Sequence, residues 1–156
     1  MGNGARTVTD EQPRPRVAGL MSEYRARDIA VLLASLRTAI GLTFLAAPSL
    51  ATLWVGGPGR SAGGRALSRS LAAREIVIGC GTLLAVSDPA RLRGWLAAGA
   101  FCDGVDTLTS AFTPELPCFS RVLVTLSSGA AAAAGTAAAL SLPASGPGED
   151  QAASLA

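Results

Sequence analysis

A chain of 156 residues is the size of one small domain, and this one is 49% hydrophobic but only 4% aromatic, with a formal net charge of +2. It contains no histidine and no lysine, so every basic residue is an arginine, and its mean hydropathy is +0.40. That composition excludes a Ser-His-Asp triad, a Cys-His pair and a His-ligated zinc site. It also offers no basic stripe interleaved with aromatics for nucleic acid. Cys80, Cys102 and Cys118 form no C-x-x-C pattern, and an odd number cannot pair fully within one chain. Burial as small apolar side chains is the expectation for Cys80 and Cys102.

In chain order, Met1 to Arg27 is polar and rich in Gly, Pro and Arg, and it lacks the apolar stretch of a secretory signal. It reads as a disordered cytoplasmic tail, residues 1–27. A first helix is expected from about Asp28 to Ala47, ended by Pro48. The apolar Ser49–Gly57 segment, with Trp54, suits an interface, and Pro58–Gly64 has strong turn chemistry. A second helix is expected around Ser68–Val86, a turn at Ser87-Asp88-Pro89, and a third helix from Ala90 to Phe112. Thr113–Pro117 is a proline-bracketed connection. A fourth helix, about Phe119 to Leu142, carries a charge-free run from Val122 that exceeds the ~20 apolar residues needed to cross a bilayer. Residues 143–156 read as a second disordered tail.

The expected fold is all-α: a polytopic membrane four-helix bundle, up-down-up-down, over residues 28–142, with disordered polar tails. A soluble alanine-rich bundle is the alternative, but it calls for broad charged faces that the first and fourth helices lack. Arg6, Arg14, Arg16, Arg25, Arg27, Arg91 and Arg93 fall on one side of four spans, with Arg60, Arg65, Arg69 and Arg121 on or near the other. The positive-inside bias then puts both termini in the cytoplasm of a multi-pass cell-membrane protein.

Five charges interrupt the apolar runs: Arg37, Arg74, Glu75, Asp103 and Asp106. A hairpin turning at Asp88 sets Arg74 level with Asp103 and Arg69 level with Asp106, which predicts those two ion pairs. Arg69 and Arg74 point about 140° apart around their helix, so both cannot face the third helix squarely. On the third helix, Gly99, Asp103, Asp106 and Ser110 form a small polar stripe expected to face inward. Ala97, Phe101, Val105, Leu108 and Phe112 form the opposite, lipid-directed face. Charge at bilayer depth costs ~3 kcal/mol or more on insertion scales, so inward pairing is the physical answer.

Arg74-Glu75 followed by three hydrophobic residues and Gly79, then a helix with Asp103-x-x-Asp106, all after an Arg37-containing first helix, resembles small four-helix integral membrane proteins. These are grouped only as domain-of-unknown-function families. The resemblance covers about Asp28 to Leu140 and implies the four-span topology and no activity. Asp103-Gly104 is similar to the opening of the CDP-alcohol phosphotransferase motif, but no Ala-Arg follows, which excludes that family.

The leading functional expectation is a membrane protein whose buried Arg/Asp/Glu cluster holds the bundle together. An enzyme on a lipid-like substrate is the first alternative, with Glu75 or Asp106 as general acid or base and Arg37 or Arg74 as an anion clamp. Proton or ion transport in an oligomer, through Glu75, Asp103 and Asp106, is the second. A divalent metal on those carboxylates is opposed by the two arginines, so no metal and no cofactor is expected. The expected partners are the lipid bilayer and, through the small residues Ser127, Ala131, Gly135 and Ala139 of the fourth helix, a homo-oligomer or membrane partner.

Overall fold

The computed structural model describes residues 14–144, and the described chain is all-α. The expectations for residues 1–13 and 145–156, tail segments in the sequence reading, lie outside the described residues. Helix α1 spans Arg14–Ala46, the one-turn α2 Thr52–Val55, α3 Ala62–Leu84, α4 Pro89–Ala111 and α5 Cys118–Leu140. Short 3-10 turns at Pro48–Ala51 and Gly57–Arg60 flank α2. The four long helices pack as a bundle, α1 most closely on α3 and α4 on α5.

The boundaries follow local chemistry. Pro48 cannot continue α1, because it lacks the N–H for the helical ladder. Ser61 caps α3, its Oγ accepting from the Gly64 amide at 2.9 Å. Asp88 caps α4, accepting from the amides of Ala90 and Arg91 at 3.1 and 3.2 Å, and Pro89 occupies the first turn where no amide partner is lost.

Two boundaries correct the sequence reading: α3 starts at Ala62, within the Pro58–Gly64 stretch read as a turn and ahead of the expected Ser68, because Ser61 caps it there, and α1 starts early. Residues 14–27, taken as part of a disordered tail, continue α1. The reason is packing: Ala26 is only 2% exposed and joins Ala30, Ala85, Leu92, Leu96, Ala138 and Leu142 in the apolar core. The alternating charges of Glu23–Asp28 hid that inward alanine.

Small residues set the helix spacing. A Cβ on Gly79 would lie 2.3 Å from Thr38 Oγ1 and 2.8 Å from the Ala34 carbonyl. One on Gly41 would lie 2.8 Å from the Ala72 carbonyl, so α1 and α3 touch backbone to backbone. Gly135 of α5 faces Leu96 and Ala100 of α4, where a Cβ would make ordinary contact at 3.4–3.5 Å. Helices α3 and α4 share little contact, and Gly81 meets the Trp95 ring near their turn.

The antiparallel order is tied at both ends. Arg93 Nη1 donates to the Leu142 carbonyl at 3.2 Å, joining the start of α4 to the end of α5. At the opposite end Ser120 Oγ donates to the Leu53 carbonyl at 3.4 Å, and Gly56, in the left-handed region at φ 71°, packs beside Pro117. Two helical stretches among the described residues, Ser22–Ala46 and Cys118–Leu140, are long and apolar enough to cross a membrane. Large apolar side chains are nevertheless exposed on all four long helices, including Leu32, Leu67, Phe101 and Leu126.

Candidate functional site

The five charged residues singled out in the sequence meet in one network near the middle of the bundle. Arg37 sits on the face of α1 that carries Leu33, Leu36 and Ile40, and points between α3 and α4. Its Nη1 donates to Glu75 Oε2 at 2.7 Å, and its Nη2 donates to Asp103 Oδ2 and, at 3.3 Å, to the Gly99 carbonyl. Arg74 donates from Nε and Nη2 to Glu75 Oε1 at 3.2 and 2.9 Å. It also holds Asp106 with both terminal nitrogens, Nη1 to Oδ1 at 3.2 Å and Nη2 to Oδ2 at 2.5 Å. The connectivity is therefore Asp103, Arg37, Glu75, Arg74, Asp106, alternating in sign along its length.

Burial divides the network in two. Arg37, Glu75 and Asp103 are 8%, 6% and 6% exposed. The Arg74 and Asp106 side chains are half-buried, at 29% and 30%. An unpaired charge in the first group would forfeit its hydration without compensation, which costs several kcal/mol. The sharing of Arg37 between Glu75 and Asp103 avoids this, and the bidentate Arg74–Asp106 pair adds directional, charge-assisted bonds.

The pairing differs from the one that the hairpin register predicts. Arg74 meets Asp106, not Asp103, and Asp103 is taken by Arg37 from α1. Arg69 is exposed and enters no ion pair among the described residues. A register argument treats α3 and α4 as facing neighbours along their whole length, whereas each packs mainly on another helix and α1 fills the space between their charges.

The face assignment for α4 holds. Gly99, Asp103 and Ser110 are buried and Asp106 is half-buried, while Ala97, Phe101, Val105, Leu108 and Phe112 are exposed. The cysteines fit less well: all three are free, Cys118 is exposed, and Cys80 and Cys102 are only partly buried.

Beside the network lies a cleft of ≈110 Å³, walled by Leu33, Leu36 and Ile40 of α1, Leu71 of α3, and Ser127 and Ser128 of α5, with all five network residues along its polar wall. Sequence reasoning missed this cleft. Helical spacing does place Leu33, Leu36 and Ile40 with Arg37, but nothing in one sequence places Ser127 and Ser128 opposite them. Among the described residues no group of three or more His, Cys, Asp or Glu is arranged to hold a metal ion.

Compared with protein-family models, curated proteins and solved structures, the chain matches none. The expected four-helix arrangement is present among the described residues.

Proposed function

We propose that this chain is a four-span integral membrane protein in which the ion network selects how the helices pair. One observation carries the reading. The stretches Asp28 to Pro48, Arg69 to Ser87, Arg93 to Phe112 and Arg121 to Leu142 each span roughly 27–32 Å at 1.5 Å per residue. That matches a hydrocarbon core of about 30 Å. Apart from Asp28, Arg69, Arg93 and Arg121 at their first positions, the only charged side chains in those four stretches are the five network members, joined to one another in the bundle. The outer surface of the same band is apolar, with Leu32, Leu36, Val77, Phe101, Leu108 and Leu126 exposed. A soluble monomer rarely exposes so continuous an apolar surface.

Lipid gives helices no hydrophobic reason to choose one neighbour over another, so polar bonds and close packing make that choice. Arg37 joins α1 to α3 and α4 at once, and Arg74 joins α3 to α4 where their backbones diverge. Helix α5 carries no network charge and is held by its close packing against α4. Acid-base catalysis on a lipid-like substrate has the cleft in its favour, but each carboxylate there is already engaged by a guanidinium. Ion conduction is disfavoured by the apolar core of Ala30, Ala85, Leu92, Leu96 and Ala138, which closes the bundle between the network and the Asp88 end.

Reporter fusions test the topology. Fusions at Gly4 and Ala152 are expected to read cytoplasmic and one at Ser61 external. Opposite signals from the two termini refute four spans.

A further inference from the structure

The end of the bundle away from Asp88 carries charge that nothing in the described chain answers. Residues 47–69 and 113–121 hold four arginines, Arg60, Arg65, Arg69 and Arg121, against the one carboxylate of Glu115, a net charge of +3. None of these five side chains enters an ion pair among the described residues. Arg121, only partly exposed, lines a groove of ≈230 Å³ between the end of α4 and the start of α5, together with Ala111, Val122, Thr125 and Leu126. Thr125 Oγ1 is buried without a hydrogen-bond partner. Its neighbours behave differently: Thr107, Thr109 and Thr113, in and just after α4, each donate to the carbonyl four residues back. Helix α5 also starts at Cys118 without a side-chain cap, so the positive end of its dipole lies uncapped three residues before Arg121.

We infer that this groove binds an anionic phospholipid, with its phosphate on the Arg121 guanidinium and the Thr125 hydroxyl and an acyl chain along Val122 and Leu126. The inference goes beyond the network and takes from the four-span reading only the height of Arg121, at the boundary of the apolar band. An unpaired guanidinium offers a planar fork of N–H donors that matches phosphate oxygens. The Thr125 hydroxyl still has its proton to give, and threonine in a helix has two accessible χ1 positions, so the hydroxyl can turn into the groove its residue lines. No carboxylate lines the groove, and Glu115 is exposed in the connection between α4 and α5. The positive charge of this whole end favours an anionic lipid over a zwitterionic one. A free anion fits less well, because three of the five lining residues are apolar and two of them, Val122 and Leu126, are 50% and 68% exposed. One turn deeper in the band, exposed Leu108 of α4 continues the apolar track from Ala111. The groove holds several times the ~30 Å³ share of a water molecule, which is room for a phosphate head.

The experiment is thermal unfolding of the full chain in dodecylmaltoside micelles, at constant ionic strength, titrated with dioleoylphosphatidylglycerol and separately with dioleoylphosphatidylcholine and inorganic phosphate. The expected result is a saturable rise in the unfolding midpoint with phosphatidylglycerol, about 5–10 °C at a hundredfold excess over Kd, and a much smaller one with the other two. Arg121→Gln removes a side chain that makes no bond within the described residues, so it is expected to fold and to weaken binding about tenfold or more. Thr125→Val keeps the shape, removes the hydroxyl and is expected to weaken binding about threefold to tenfold. Ala111→Phe fills the groove from an exposed position, leaves every charge in place and is expected to abolish the response. Arg60→Gln, outside the groove at the same end of the bundle, is expected to keep the parent response. No saturable shift, an equal shift with phosphatidylcholine or inorganic phosphate, a parent response in Arg121→Gln, Thr125→Val or Ala111→Phe, or an equal loss in Arg60→Gln overturns the inference. Topology reporters are read in cells without added lipid, so the four-span reading stands or falls separately.

Discussion

Replacing Arg37 by leucine is the most informative single perturbation of the network. It removes the bonds to Glu75, Asp103 and Gly99 together. Glu75 keeps Arg74, but Asp103 loses its one ion-pair partner while its side chain is 9% exposed. Breaking a buried pair from one side costs about 3–5 kcal/mol, and most of that falls on Asp103 here. Arg74→Leu is expected to cost less, about 1–2 kcal/mol, because solvent or headgroup water reaches a pair that is roughly 30% exposed on both sides. Arg69→Leu, outside the network, is the control and is expected to stay within about 0.5 kcal/mol of the parent. The double change Arg37→Leu with Asp103→Leu restores the original charge difference and is expected to recover most of the loss, since an apolar pair of similar shape is neutral or better. Reversible unfolding in mixed micelles, read by tryptophan fluorescence, gives the four-cornered cycle. A double variant no more stable than Arg37→Leu refutes the Arg37–Asp103 pair. A stronger coupling of Asp103 to Arg74 than to Arg37 restores the hairpin-register pairing in its place.

Two further outcomes are expected. Gly79→Ala places a methyl against Thr38 Oγ1 and the Ala34 carbonyl and is expected to destabilise by about 1–3 kcal/mol, whereas Gly104→Ala meets nothing within 4 Å and is expected to stabilise by about 0.5–1 kcal/mol in the same assay. Equal effects of the two would show that α1 and α3 do not approach at Gly79. Cys118, exposed at the start of α5, is expected to react with a membrane-impermeant thiol reagent in intact cells, with Cys80 and Cys102, partly buried in mid-helix, reacting only after denaturation. Equal labelling of all three breaks the assignment of α3 and α4 to the membrane band.

The amino-acid sequence by itself determined the four long helices, their stops and the membership of the charge cluster. Those features are local or periodic. Pro48 and Asp88 act on the backbone within a few residues, and the spacing of Gly99, Asp103, Asp106 and Ser110 puts them on one face whatever surrounds the helix. Depth was legible for the same reason, since a fixed rise per residue turns sequence position into height along the bundle. Partner choice was not. Height along a helix says nothing about azimuth between helices, so Arg74 had two acidic candidates on α4 at similar depth. The tertiary structure decided between them through contacts that no short-range pattern encodes. Gly41 and Gly79 bring α1 against α3, α5 packs closely on α4, and α3 and α4 are left apart along most of their length. That separation admits the Arg37 guanidinium to Asp103 and Glu75, leaves Asp106 for Arg74, and opens the cleft between Leu36 and Ser127. The N-terminal extension of α1 was settled in the same way: Ala26 is buried only because Ala85, Leu92 and Ala138, distant in sequence, close over it.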